Sequence, residues 1–173
     1  GRLQLRSNPQ LAAVDLAALE DVNADVRVQQ NEQLAELGIG ALRTVHGDFT
    51  LEQNEKLHSV ITTTILSVGG RFQLLANAQL AMMEAPALVN VSSAFQVTGN
   101  EKLAFLACGA LQEVGSSFTV QTNDGLTSMA GFARLLRVKG NFEVRGAGAY
   151  GTDATPGQQP ILGHSRYSRT EQI

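Results

Sequence analysis

An asparagine recurs every 23 residues along most of this 173-residue chain. The series is Asn8, Asn31, Asn54, Asn77, Asn100 and Asn123. Apolar residues keep step with it, and the clearest apolar column runs Leu3, Val26, Phe49, Phe72, Phe95, Phe118 and Phe142. A fixed period of this size is typical of solenoids, in which each repeat buries its apolar face only against the neighbouring repeats.

The spacing within one repeat indicates strands. A repeat reads Phe-x-Val-x-x-Asn-x-x-Leu, which has the period-two alternation of a short strand and lacks the i, i+3, i+4 spacing of a helix. We therefore predict an all-β, parallel β-solenoid of about seven 23-residue coils over residues 1–146. Stacked at the parallel-strand spacing of about 4.8 Å, the seven strands form a rod about 30 Å long. An irregular C-terminal extension follows over residues 147–173.

Two inward columns have predicted structural roles. A buried asparagine amide can donate to one coil and accept from the next, so the asparagine series is expected to satisfy backbone groups at a sharp bend. Another column contains Leu16, Ile39, Thr62, Ala85, Cys108 and Gly131. Cys108 is expected there as a small apolar filler and not as a catalytic thiol. The last coil is expected to gain one extra residue between Gly131 and Leu135.

Composition and residue placement argue against several classes of protein. The net charge is -3 and the arginines are scattered, which disfavours nucleic acid as a partner. No apolar run is long enough to span a membrane, and a single cysteine cannot form an internal disulfide. His46, His58 and His164 fall in different parts of the repeat. We therefore expect no catalytic residues, no metal site and no cofactor, that is, a protein that is not an enzyme.

The repeat also resembles a known family. From Leu42 to Leu57 the chain reads Leu-x-x-Val-x-Gly-Asp-Phe-x-Leu-x-x-Asn-x-x-Leu, and a similar pattern returns from Ile65 to Leu80. This resembles the repeat of receptor L domains, the leucine-rich-repeat-like solenoids of insulin and epidermal growth factor receptors, fungal cell-wall proteins and other surface proteins. The resemblance covers residues 1–146 and implies a right-handed β-helix. It also implies an extracellular or cell-surface module for recognition or adhesion.

Secretion is also favoured, though weakly, by Asn90-Val91-Ser92, which is the only N-glycosylation sequon in the chain.

The outward strand positions form the candidate binding face. Between the two inward residues of each strand lie Gln4, Arg27, Thr50, Gln73, Gln96, Thr119 and Glu143. We call this column the strand face and expect Arg27, Thr50, Gln73, Gln96 and Thr119 to be its contact residues. Such a flat polar ladder is typical of a solvated sheet and also of a surface that recognises glycan or protein.

Charged residues precede the first strands of the repeat. Asp25 and Asp48 repel each other across one rung, and Arg2 and Arg71 flank them. This alternation favours a surface ion-pair ladder over a calcium site.

The two ends of the solenoid suggest assembly contacts. The first coil starts directly at the strand, so it exposes Leu3, Leu5 and Leu11 to whatever precedes it. Two explanations stay open: the chain is a piece of a longer protein, or copies stack end to end into a filament. In the second case Phe142 and Val144 of one copy meet the first coil of the next, while Ile161, Leu162 and Tyr167 of the extension dock on the neighbour.

Overall fold

A computed structural model describes residues 1–146, which form a parallel β-solenoid with almost no helix. Seven strands stack in the longest sheet and so enclose six full turns of chain. The predicted all-β solenoid of seven strands with a 23-residue period is thereby confirmed. The predicted extension over residues 147–173 lies outside the described residues.

Each coil has three sides, and the strands are numbered in chain order. The first side is one sheet of β1 (Leu3–Arg6), β4 (Val26–Gln29), β7 (Phe49–Glu52), β10 (Phe72–Leu75), β13 (Phe95–Thr98), β16 (Phe118–Gln121) and β18 (Phe142–Arg145). The second side consists of β2 (Ala13–Asp15), β5 (Glu36–Gly38), β8 (Ser59–Ile61), β11 (Met82–Glu84) and β14 (Phe105–Ala107). The third side is one sheet of β3 (Asp21–Val22), β6 (Thr44–Val45), β9 (Ser67–Val68), β12 (Asn90–Val91), β15 (Glu113–Val114) and β17 (Arg137–Val138).

Identical residues stack on one another through the core. Phe72 pairs in register with Phe49 on one side and Phe95 on the other, and all three are fully buried. The phenyl rings lie 5.0 to 5.1 Å apart and at most 12° from parallel. A shift of one residue would turn these rings outward, so the phenylalanine column fixes the register of the first side.

The asparagine series forms a continuous ladder that is buried from Asn31 to Asn123. The Oδ1 atom of Asn54 accepts hydrogen bonds from the backbone N–H and the Nδ2 of Asn31, at 3.3 and 3.1 Å. The Nδ2 of Asn54 donates to the carbonyl of Val28 at 2.9 Å and to Oδ1 of Asn77 at 3.3 Å. Every donor and acceptor of this amide is therefore paired, and the predicted structural role of the series is confirmed.

The residue before each ladder asparagine has a left-handed backbone. This column is Ser7, Gln30, Gln53, Ala76, Gly99 and Thr122, with φ between 52° and 70°. Only Gly99 adopts that conformation without steric cost, and each of the others loses about 1–2 kcal/mol. The bend is therefore imposed by its surroundings, and the asparagine ladder that follows it supplies the compensating hydrogen bonds.

The last coil departs from its predicted register. In earlier coils the backbone N–H of a column residue donates to the residue just before the next column member, as Ala85 does to Ala107. Cys108 donates instead to Gly131, at 3.0 Å, so the column continues at Phe132 and not at Gly131. Placing the extra residue after Gly131 was therefore wrong.

A short 3-10 helix over Ala130–Phe132 accommodates the added residue. Phe132 is 8% exposed and packs edge-on against the rings of Phe95 and Phe118, at 5.5 and 5.1 Å between centroids. A side chain at Gly131 would strike the backbone carbonyl of Leu106. The glycine gives the chain room to bend, and the following phenylalanine restores the core contact. This change of register is local to the second side of the last coil.

Strand pairing on the second side is interrupted between the second and third coils, and it ends after the fifth coil, where the 3-10 helix follows in place of a strand. Strands β2 and β5 form one sheet and β8, β11 and β14 another, so among residues 1–146 no strand pairing joins the second coil to the third on this side. The hydroxyl of Thr64 lies across the adjoining bend within hydrogen-bond distance of the carbonyls of Gly40 and Leu42, at 2.8 and 2.9 Å, and shares its one hydrogen between them. A side chain thus links the two coils close to the missing strand pairing.

The asparagine ladder gives a direct stability test. Asn77→Ala would remove the acceptor of the Asn54 backbone N–H and of one of the two Nδ2 hydrogens of Asn54, and it would remove the side-chain donor to the carbonyl of Leu51. Since each buried unpaired group costs about 1–3 kcal/mol, we expect the free energy of unfolding in urea to fall by about 3 kcal/mol or more. Asn8→Ala is the matched control, because Asn8 is exposed and donates at the end of the ladder. Equal losses in the two variants would contradict the structural role.

Candidate binding face

The outward column of the first side is straight. Parallel pairing places Arg27 beside Thr50, Thr50 beside Gln73, Gln73 beside Gln96 and Gln96 beside Thr119. The structure therefore brings all five predicted contact residues into one line. Adjacent members are one strand spacing apart, about 4.8 Å.

Hydrogen bonds between neighbours hold the middle of the strand face. The Nε2 of Gln73 donates to Oε1 of Gln96 at 3.0 Å, and the hydroxyl of Thr50 donates to Oε1 of Gln73 at 3.4 Å. Thr50 is only 5% exposed, whereas Gln73, Gln96 and Thr119 are half-buried. The accessible polar atoms of this stretch therefore belong to the two glutamines and Thr119, and Thr50 serves mainly to position Gln73.

A second outward column runs beside the strand face and was not among the predicted contact residues. It consists of Arg6, Gln29, Glu52, Leu75, Thr98, Gln121 and Arg145. The Nε2 of Gln29 donates to a carboxylate oxygen of Glu52 at 2.7 Å. The same period-two rule that located the first column also locates this one, two residues further along each strand.

The predicted ion-pair ladder is confirmed. The guanidinium of Arg2 lies 3.0 Å from the Asp25 carboxylate, and that of Arg71 lies 2.9 Å from the Asp48 carboxylate. Arg27 was assigned to the strand face alone, but its guanidinium also bridges the two aspartates, at 3.0 Å from Asp25 and 3.7 Å from Asp48. These cations relieve the repulsion between the two carboxylates.

The two aspartates also bind the backbone of the next coil. Oδ1 of Asp25 accepts the backbone N–H of Asp48 at 3.0 Å, and Oδ1 of Asp48 accepts that of Arg71 at 2.8 Å. A side chain at Gly47 or Gly70 would collide with the accepting carboxylate oxygen. The glycines at these bends therefore make room for the hydrogen bonds.

Charge is unevenly distributed along the strand face. Arg27, in the second coil, is paired with carboxylates, and at the far end Glu143 pairs with Arg145 at 2.9 Å. Between them, Gln73, Gln96 and Thr119 present only amide and hydroxyl groups. This central stretch can donate and accept hydrogen bonds without attracting a net charge.

A shallow groove follows the bend beside the first side. It has a volume of about 600 Å³ and is lined by Ser7, Pro9, Gln30, Glu32, Gln53, Glu55, Ala76 and Ala78. The side-chain amide of Gln30 donates to that of Gln53 at 3.2 Å along its floor. The groove has no signal in the repeat pattern of the sequence, because it arises from the left-handed bend.

The remaining chemically notable residues are dispersed. His46 and His58 are both exposed, in separate columns, and His164 lies outside the described residues. Cys108 points inward as predicted, and burial raises the pKa of its thiol to about 12. Within residues 1–146, no three His, Cys, Asp or Glu side chains are grouped closely enough to hold a metal ion.

The predicted assembly contacts can be located only in part. Leu3, Leu5 and Leu11 are half-buried in the first coil, Phe142 is 37% exposed and Val144 is half-buried in the last. Ile161, Leu162 and Tyr167 lie outside the described residues.

Comparison with protein-family models, with curated proteins and with solved structures finds no match to this chain. Within residues 1–146, no helix has the length and apolar character needed to cross a membrane.

The ion-pair ladder predicts a dependence of stability on acid. The hydrogen bond from the Arg71 guanidinium lowers the pKa of Asp48 below its ordinary value of 3.8. As the pH falls, the Asp48 carboxylate therefore binds a proton in the unfolded chain before it does so in the folded one. The stabilisation by this ion pair is complete above pH 3.8 and is lost as the pH falls through the lower pKa of the folded state. We expect Asp48→Asn to flatten this part of the curve of unfolding free energy against pH. Asp21→Asn, at an exposed aspartate without an ion pair among the described residues, is the control. An unchanged acid slope in Asp48→Asn would contradict the prediction.

Proposed function

We propose that the solenoid is a non-catalytic recognition or adhesion module that works outside the cell or at its surface. Its ligand, a glycan or a protein, binds on the strand face. The observation that carries this proposal is the in-register line of Gln73, Gln96 and Thr119, whose polar groups are half-exposed and aligned one per coil.

The rigidity of this line favours binding. Side chains already ordered by neighbouring hydrogen bonds lose less conformational freedom when a ligand arrives, and this saves part of the entropic cost of association. The Gln73–Gln96 hydrogen bond leaves further amide donors and acceptors free to face outward. An uncharged ligand rich in hydroxyl groups, or an extended polypeptide, can satisfy such groups along several coils at once.

The resemblance of the repeat to receptor L domains supports the same proposal, because those domains are found in receptors and other surface proteins. The chain shares their spacing of leucine, valine, glycine, phenylalanine and asparagine from Leu42 to Leu80. Because one solenoid serves many unrelated functions, the strand face and not the fold carries the argument for recognition.

Binding arrays of immobilised glycans and of purified extracellular proteins test the proposal. We expect the full chain to bind a defined ligand and Gln73→Glu or Gln96→Arg to weaken that binding at least about tenfold, which is 1.4 kcal/mol. Thr63→Arg places the same charge at an exposed position between the second and third sides and should bind like the parent. A parent chain that binds nothing on either array would overturn the proposal, as would equal binding by the strand-face variants.

A second candidate is a structural subunit that stacks end to end. The observation favouring it is that β1 and β18 are the outer strands of the first-side sheet, each with one neighbour among the described residues. An outer strand offers unpaired N–H and C=O groups, and β1 of one copy has the parallel register to extend β18 of another. Such head-to-tail contact does not close, so it produces filaments.

Light scattering and negative-stain microscopy over a range of protein concentrations test the stacking. We expect filaments that are lost in Leu3→Asp and in Phe142→Asp, because each places a charge at the joint. Leu66→Asp changes an exposed leucine on the third side and should leave filaments intact. A monodisperse monomer at every concentration would contradict the stacking, as would filaments that survive both end substitutions.

A further inference from the structure

Three exposed apolar side chains occupy one column at the start of the third side. Leu66 is 49% exposed, Val89 38% and Leu136 67%. Leu66 and Val89 lie on adjacent coils, since the backbone N–H of Val89 donates to the carbonyl of Leu66 at 2.9 Å. The first two coils carry Glu20 and Arg43 at the same positions. Gln112 holds this position in the fifth coil, so the column is charged in the first two coils and apolar in three of the next four.

A groove runs between Val89 and Leu136. It has a volume of about 310 Å³ and is lined by Val89, Asn90, Gln112, Glu113, Leu136 and Arg137. Its walls are apolar where Val89 and Leu136 meet it, and its rim is polar. The carboxylate of Glu113 is neutralised by Arg137 and Lys139, at 3.3 and 2.6 Å. An exposed apolar surface with a polar rim is typical of a surface covered by another group.

Asn90 stands at the edge of this groove. It begins β12, and because Val91 is fully buried, the Asn90 side chain points outward. Its neighbours in the sheet are Ser67 and Glu113. Its Nδ2 donates to the hydroxyl of Ser92 at 3.0 Å in an exposed position. The acceptor amide and the hydroxyl that define an N-glycosylation sequon are thus both on the surface and in contact.

We propose that Asn90 carries an N-linked glycan and that its first sugars cover the groove between Val89 and Leu136. The inference rests on the extracellular location in the proposed function, since N-glycosylation accompanies secretion. The group that covers the apolar side chains is then a glycan covalently attached to the same chain.

The modification transfers an oligosaccharide to Asn90. Its donor is an oligosaccharide linked to a polyprenyl pyrophosphate in the secretory pathway. The Nδ2 of Asn90 attacks the anomeric carbon, so a nitrogen–carbon bond forms while the bond from that carbon to the pyrophosphate oxygen breaks. The pyrophosphate leaves with the bonding electron pair, and the amide loses one proton. The product amide keeps one N–H, which can still donate to the Ser92 hydroxyl.

A glycan suits this groove chemically. A sugar ring presents C–H groups on its faces and hydroxyls on its edge, so its faces can pack on Val89 and Leu136 while its hydroxyls bind Gln112 and the charged rim. The strand face lies on a different side of the coil. A glycan at Asn90 therefore leaves the proposed ligand-binding surface open.

Occupancy is tested on the full chain, secreted from eukaryotic cells behind a signal peptide. We expect mass spectrometry to find a glycan on the peptide containing Asn90, and peptide N-glycosidase to remove it. Asn90→Gln and Ser92→Ala should abolish the glycan and Ser92→Thr should retain it, while Asn141→Gln, outside any sequon, should change nothing. A secreted chain with Asn90 largely unmodified would overturn the inference.

Coverage of the groove is tested with a fluorescent dye that binds apolar surfaces. Unglycosylated Asn90→Gln protein should bind severalfold more dye than the glycosylated parent, and adding Val89→Ser and Leu136→Ser to it should abolish the excess. Equal dye binding by Asn90→Gln and parent would overturn the coverage. Neither measurement depends on a ligand for the strand face, so failure on the binding arrays leaves both results interpretable.

Discussion

From Asn31 to Asn100, the buried amide of each ladder asparagine joins three consecutive coils, and the rest of the solenoid depends on this connection. Asn54 receives hydrogen bonds from the coil before it, returns one to that coil, and donates one to the coil after it. A coil with one residue too many before its asparagine would leave several buried polar groups unpaired at once. The constant 23-residue spacing and the left-handed bends before the asparagines both follow from that requirement.

The surface chemistry is a consequence of the same register. Because successive coils align residue on residue, similar residues at one outward position of the repeat form a line along the rod. Gln73 and Gln96 illustrate this, since their amides meet only because the phenylalanines before them are stacked. The aspartates at the neighbouring column gain their backbone partners in the same way. The lines differ between coils, so charge, amides and apolar side chains each dominate a different part of the surface.

Much of this could be predicted from the sequence, because a period leaves few alternatives for folding. The inward columns, the parallel register and the line from Arg27 to Thr119 all follow from the 23-residue period. Predictions were wrong or incomplete where two residues fit the period equally well, or where contacts with adjacent coils determine how exposed a side chain is. Gly131 and Phe132 are both plausible successors of Cys108, and only the hydrogen-bond register distinguishes them. Thr50 was counted among the exposed contacts, yet its place in the line leaves it 5% exposed.

The interruption of the second side between β5 and β8 makes the junctions between coils unequal. In a solenoid, stability is approximately the sum of the coils and of the interfaces between neighbours. The interface between the second and third coils lacks strand pairing on this side, and so does the interface between the fifth and sixth coils, where the 3-10 helix follows β14. The interface between the fifth and sixth coils keeps the backbone hydrogen bond from Cys108 to Gly131 and the ring contacts of Phe132. We therefore expect the rod to open first between the second and third coils, with the first two coils unfolding as a unit that is shorter than the rod.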